Sequence, residues 1–177
     1  LHIGNLRTAL AAWLFARSAG GEFLLRFEDL DTATARREHA DGQRRDLERL
    51  GLDWDGEPVR QSERMDRYED ALTDLSAAGL TYRCWCSRRE IREAVSAPHL
   101  PPGHYTGTCR NLTAAQIAER EAAGKPPAVR LRTEQPSVTI VDRLHGEHTE
   151  VVDDVVLRRS DGTPAYNLVV VVDDDAQ

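Results

Sequence analysis

A helix, a double-glycine turn and a short apolar strand follow one another within residues 1–27. This succession limits the folds open to the chain more than any other feature. From Asn5 to Ala19 (NLRTALAAWLFARSA), Leu6, Leu10, Trp13 and Leu14 recur at helical spacing on one face. Gly20 and Gly21 stop the helix, and Phe23–Phe27 (FLLRF) then reads as a strand apolar enough to sit inside a parallel sheet. Helix, glycine turn and strand make half of a βαβ unit, so the chain is expected to be α/β.

The remaining segments extend that plan. Thr34–Leu50 reads as a charged helix stopped at Gly51, and Glu63–Ala78 as another stopped at Gly79. Thr81–Cys86 is a short strand and Arg88–Val95 a short helix. Pro98, Pro101, Pro102 and Gly103 form a loop. Thr113 caps a polar helix reaching Ala123, which Gly124 and two prolines end. Beyond Pro127 the chain turns β-branched, in Val129–Arg132, Val138–Val141, Val151–Val152 and Val155–Arg158. The run Leu168–Val172 (LVVVV) reads as a central parallel strand. The expected architecture is a Rossmann-like α/β domain with an inserted subdomain. Residues 1–80 form its first half, 81–127 the insertion, and 128–177 a β-rich return to the sheet.

Composition excludes several classes. No apolar run nears the roughly 18 residues of a membrane helix, and nothing at the N-terminus reads as a signal peptide, because charge and helix pattern begin at once. Lys and Arg number 23 against 30 Asp and Glu, a net charge of −7; this argues against a surface coated in positive potential for nucleic acid, without excluding one local basic face. Three cysteines, two of them separated by a single residue, are too few and too close for a secreted disulfide scaffold. A reducing cytoplasm is the expected compartment. The chain begins at Leu1 with motif residues starting at once, and stops just after the apolar run; both ends look cut.

Several residues are candidates for chemistry. Leu1-His2-Ile3-Gly4-Asn5 stands directly before a helix, whose first turn offers unpaired N–H groups and about half a unit of positive charge to a phosphate. Gly4 permits close approach, and His2 can donate to a phosphoryl oxygen as charge builds there; the plainer alternative is a polar residue before a helix cap. Glu28 falls where the first strand ends, the edge at which ligands bind in doubly wound sheets. Its carboxylate can pair with an ammonium group or simply cap and solvate. Cys84, Cys86 and Cys109 can supply three of the four tetrahedral ligands of a Zn²⁺ ion, with His99, His104 or Tyr105 as the fourth. On spacing alone, three inert thiols explain the pattern equally well. Asp173 and Asp174 read as structural acids.

Three separated blocks resemble class I aminoacyl-tRNA synthetases. His2-Ile3-Gly4-Asn5 is a variant of their first signature. Leu6-Arg7-Thr8-Ala9-Leu10 and Leu25-Arg26-Phe27-Glu28-Asp29-Leu30-Asp31 are similar to the glutamyl branch, as is Pro164-Ala165-Tyr166-Asn167-Leu168 followed by Asp173-Asp174. Within that branch, Cys84-x-Cys86, Tyr105-x-x-x-Cys109 and the closing Ala176-Gln177 resemble the truncated glutamyl-queuosine tRNA(Asp) synthetases.

The resemblance implies a class I catalytic domain with a zinc-bearing insertion. It implies a monomeric, cytoplasmic ligase that activates glutamate with ATP and Mg²⁺ and transfers it to a tRNA. The favoured tRNA is tRNA(Asp), at its queuosine; tRNA(Glu), charged at its 3′ end by an ordinary glutamyl-tRNA synthetase, is the alternative. His2, Gly4 and Asn5 would act on ATP and in catalysis, Glu28, Tyr166 and Asn167 would bind glutamate, and Cys84, Cys86, Tyr105 and Cys109 would hold structural zinc. The Ser-Pro-Thr-Gly segment and the Lys-Met-Ser-Lys-Ser-like loop of the family are expected beyond the two ends. A reading from another class is a non-catalytic zinc-bearing RNA-binding module built on the same fold.

Overall fold

The computed structural model describes residues 1–31, 33–94, 104–135 and 137–177. The proline loop expected at Pro98, Pro101, Pro102 and Gly103 lies outside the described residues, as do Val95 and His99. The chain forms two compact units, one of Leu1–Asp66 with Gln177 and one of Arg67–Ala176.

The first unit opens on helix α1 (Ile3–Ser18). Strand β1 (Arg26–Phe27) pairs in parallel with β2 (Val59–Arg60), across helix α2 (Arg37–Arg49). The parallel pair and its crossover helix match the expected βαβ logic. The strand is shorter than Phe23–Phe27, although Phe23 and Leu25 still accept backbone bonds from Asp55 and Val59. Helix α1 buries a different stripe from the one expected: Leu6, Ala9, Trp13 and Ala16 are half-buried, whereas Leu10 and Leu14 are exposed. The Trp13 indole fixes that rotation by donating to the Asp53 carboxylate at 2.9 Å. Leu47 of α2 and Leu52 supply the buried apolar side chains of this unit. A 3-10 turn (Gln61–Glu63) follows β2.

The second unit is organised by an antiparallel sheet. Helix α3 (Met65–Ala77) leads into β3 (Thr81–Cys84), and the strand order is β3–β4–β7, with β4 spanning Ala128–Leu131 and β7 Val156–Arg158. Among the described residues between β3 and β4 lie two helices, α4 (Arg88–Ala94) and α5 (Ala114–Ala122). Thr113 and Gln116 close a reciprocal capping box at the start of α5. Strands β5 (Ser137–Asp142) and β6 (Gly146–Val151) form a separate hairpin.

Two expectations for residues 128–177 are corrected here. Strands β4 and β7 do not return to the parallel sheet; β4 pairs antiparallel with β3, and β7 antiparallel with β4. The run Leu168–Val172 is not a strand but part of helix α6 (Tyr166–Ala176). Ala165, Leu168, Val169 and Asp173 are buried and Val172 half-buried, while Val171 is exposed. That is an i, i+3, i+4, i+7, i+8 stripe, anchored where the Tyr68 hydroxyl donates to Asp173 at 2.9 Å.

Candidate active site and metal centre

Helix α1 is capped by the residue placed first in the sequence motif. The His2 Nδ1 accepts from the amides of Gly4 at 3.1 Å and Asn5 at 3.4 Å. An imidazole that accepts at Nδ1 carries its proton, when neutral, on Nε2, leaving that N–H as an outward donor. The plainer reading of His2 and the chemical one therefore coincide: as a cap it is turned into a donor of fixed tautomer. A Cβ at Gly4 would stand 2.9 Å from His2 Cε1, so this position admits the ring only as glycine.

Asn5 and Glu28 line one cavity of about 730 Å³ in the first unit, with Arg26, Asp29, Arg60 and Ser62. Glu28 directly follows β1, as expected from the end of a parallel strand. Its side chain is 46% exposed, and Oε1 lies 3.6 Å from an Arg26 guanidinium nitrogen. Asp29 ties the ends of β1 and β2 together, accepting from the Ser62 amide at 2.9 Å and the Ser62 hydroxyl at 2.8 Å. Arg60 lies 3.6 Å from Asp29 and 4.6 Å above the Phe27 ring. Glu28 thus sits on a stapled strand end with its carboxylate facing open space. In the second unit, Tyr166 and Asn167 form the first turn of α6 and are both exposed, Tyr166 by 65%.

The cysteines converge. The sulfurs of Cys84, Cys86 and Cys109 all lie within 4.8 Å of one another, and Cys86 and Cys109 are 3.6 Å apart. The Tyr105 hydroxyl accepts from the Cys109 amide at 2.7 Å and from the Cys84 thiol at 3.4 Å. A tetrahedral zinc with Zn–S near 2.3 Å has ligand-to-ligand edges of about 3.8 Å, so this donor set fits that ion. His104 points elsewhere, with Nδ1 3.9 Å from Asp153, and no described histidine joins the sulfurs. His99 lies outside the described residues.

Local sequence explains the convergence. Alternation along β3 sends Tyr82 and Cys84 inward and Arg83 outward. The second half is a compact turn from Tyr105 to Cys109, with Gly107 at φ +78°. Tyr82, Cys84, Trp85, Tyr105 and Cys109 form one buried cluster, packed by Cys86, Ile91, Leu112 and Ile117. Burial works to raise the Cys84 thiol, but hydrogen bonds with Tyr105 and Arg130 outweigh it and hold that thiol below its ordinary value. Burial pushes Cys86 up to about 12 and raises Tyr105 as well. Ligation by zinc requires these groups as anions, which the ion's own charge favours.

The cysteine cluster is braced by residues that sequence reasoning missed. Asp153 accepts from the Tyr105 amide at 2.8 Å. Asp154 accepts from Tyr82, Arg110 and Thr133. Arg130 donates to the Asp154 carbonyl at 2.6 Å and stands 3.8 Å over the Tyr105 ring. An acid pair inside the β-branched run VVDDVV, and an arginine inside AVRL, were the available signals.

The family model described as "tRNA synthetases class I (E and Q), catalytic domain" matches residues 1–177. The chain belongs to this family. It is 60% identical over its full length to a Nocardia farcinica protein named Glutamyl-Q tRNA(Asp) synthetase, of which it covers 56%. It is 53% identical to one of the same name from Cutibacterium acnes, of which it covers 50%. The fold is also that of a glutamate tRNA ligase from Elizabethkingia meningosepticum crystallised with its amino acid. That match has a TM-score of 0.78 at 26% identity and covers 99% of this chain and 39% of the other. The chain spans about half the length of the relatives it matches. No helix among the described residues is long and apolar enough to cross a membrane.

Proposed function

We propose that this chain carries the glutamate-activating site of a glutamyl-queuosine tRNA(Asp) synthetase. Support for the activation step comes from Asn5 and Glu28 lining one cavity beside a histidine-capped helix N-terminus. In that step the glutamate α-carboxylate attacks the α-phosphorus of ATP, forming glutamyl-adenylate and releasing pyrophosphate. An RNA hydroxyl then attacks the acyl carbon and AMP departs. Such chemistry depends on positioning and charge stabilisation rather than on covalent help from the protein.

The His2 Nε2–H donates to a phosphoryl oxygen, and Gly4 and Asn5 bring the helix terminus to the nucleotide. Mg²⁺ accompanies the ATP. The Glu28 carboxylate takes the ammonium group of glutamate. Cys84, Cys86, Tyr105 and Cys109 hold one structural zinc, which keeps the insertion in shape. With four protein ligands it has no open position for chemistry.

The single observation favouring queuosine of tRNA(Asp) as acceptor is the 60% identity to a relative bearing that name. The ordinary ligase, charging the 3′ end of tRNA(Glu), is favoured instead by the fold match to a glutamate tRNA ligase. Transfer of labelled glutamate by the complete protein to purified tRNA(Asp), queuosine-free tRNA(Asp) and tRNA(Glu) separates the two. Label on queuosine-bearing tRNA(Asp) alone is the expected result. Label only at the 3′ end of tRNA(Glu) overturns the proposal.

A further inference from the structure

Arg130 is 7% exposed, and a buried guanidinium stays charged at any pH a protein survives. Such a charge is costly unless an anion compensates it. Yet none of the ion pairs among the described residues involves Arg130. One terminal nitrogen donates to the Asp154 main-chain carbonyl at 2.6 Å, and Nε is buried without a partner. The nearby Asp154 carboxylate is taken by Arg110, Tyr82 and Thr133. What the guanidinium does face is the sulfur–oxygen cluster. It lies 3.8 Å over the Tyr105 ring, whose hydroxyl accepts from the Cys84 thiol at 3.4 Å. The register makes this unavoidable: Arg130 is paired with Tyr82 across β3 and β4, on the face that carries Cys84.

We propose that Arg130 is the buried counter-charge of the Cys84–Cys86–Tyr105–Cys109 centre and the residue that secures Tyr105 as its oxygen ligand. The inference rests on the zinc reading above. Three thiolates and a phenolate around a divalent ion leave an excess of negative charge in a site walled by Tyr82 and Trp85. A permanent cation stacked on the phenol ring offsets that excess where solvent does not reach. The same stack fixes the ring plane, so the hydroxyl stays beside Cys84 Sγ. Without an anionic cluster, an arginine at this position would gain only its bond to the Asp154 carbonyl against the cost of burying its charge.

The test compares wild type with Arg130→Met, which keeps length and removes charge, and with Arg130→Lys, which keeps charge and loses the planar stack. Each is also made in a Tyr105→Phe background. Zinc affinity is read by competition with a chromogenic chelator, and ligation by the charge-transfer bands of the cobalt-substituted proteins and the tyrosinate ultraviolet band. Arg130→Met is expected to weaken zinc binding about 10–100-fold and to lose the tyrosinate signal. Arg130→Lys should recover part of the affinity, and the effect of Arg130→Met should shrink in the Tyr105→Phe background. Should Arg130→Met fail to fold, Arg130→Lys decides: a loss of tyrosinate signal with folding retained supports the role, and an unchanged signal and affinity overturn it. Zinc bound by wild type and equally tightly by a folded Arg130→Met overturns this inference alone. A wild type without zinc overturns the zinc reading together with it.

Discussion

The Tyr82 hydroxyl donates to the Asp154 carboxylate at 2.6 Å in the interior of the second unit. Burial by itself works to raise that carboxyl, but the hydrogen bonds from Thr133, Tyr82 and Arg110 outweigh it and bring it down to about 2. Its stabilising contribution is therefore complete above the unfolded value, near 3.8, and is lost as pH falls through about 2. At 1.36 kcal/mol per unit this is about 2 kcal/mol. Asp154→Asn should destabilise the protein by about 2–4 kcal/mol at neutral pH and flatten its stability profile below about pH 4. Denaturant unfolding of both proteins across that range measures the two effects.

Removing zinc should cost the second unit its packing around Cys84, Trp85, Tyr105 and Cys109. Structural zinc contributes on the order of 10–16 kcal/mol in small sites. Metal analysis is expected to give one zinc per chain. Chelation or Cys84→Ser should reduce near-ultraviolet dichroism and shift Trp85 fluorescence. A zinc-free protein with both signals intact would contradict this.

Gly4→Ala separates chemistry from stability. The new methyl would displace the His2 ring and strip the cap from two amides, a loss of about 1 kcal/mol. Alanine regains about 1 kcal/mol over glycine through helix propensity. The melting temperature should thus stay nearly constant, while glutamate-dependent ATP–pyrophosphate exchange by the complete protein falls at least about tenfold. Parallel losses of both would indicate a purely structural glycine.

Glu28→Ala should behave likewise for the amino acid. An exposed pair with Arg26 contributes about 0–1 kcal/mol to folding. A carboxylate that meets the substrate ammonium contributes about 2–5 kcal/mol to binding. The expected outcome is a fall of roughly 30-fold or more in kcat/KM for glutamate in a protein of normal stability. Unchanged kinetics would return Glu28 to the surface.

Local signals were legible and non-local ones were not. Helix α5 announces itself because its cap, its box partner and its stop lie within Thr113–Gly124. The parallel βαβ start follows from adjacent segments, and the inward turn of Cys84 from simple alternation. The run LVVVV, in contrast, looks the same in a strand and a helix. Only the burial of Ala165 and Asp173 beyond its ends reveals a 3.6-residue period. The antiparallel return of β4 and β7 depends on partners many residues away. Arg130 and Asp154 read as ordinary charges until Tyr82, Arg110 and Thr133 are brought around them. In the motif at the N-terminus, the sequence does not show that the His2 ring itself takes up the Gly4 and Asn5 amides that a bare helix end would offer to a phosphate.

The hairpin of β5 and β6 has every residue exposed, and among the described residues its strands pair only with each other. Its amides are therefore guarded by one another alone. Deuterium should enter residues 137–151 at a rate set by local unzipping, indifferent to zinc and to the acid titration of Asp154. Exchange in β3 and β4 should instead follow global unfolding. The molecule thus carries its own internal reference: a segment whose opening reports solvent and temperature while the sheet of β3 and β4 reports the state of the cysteine cluster.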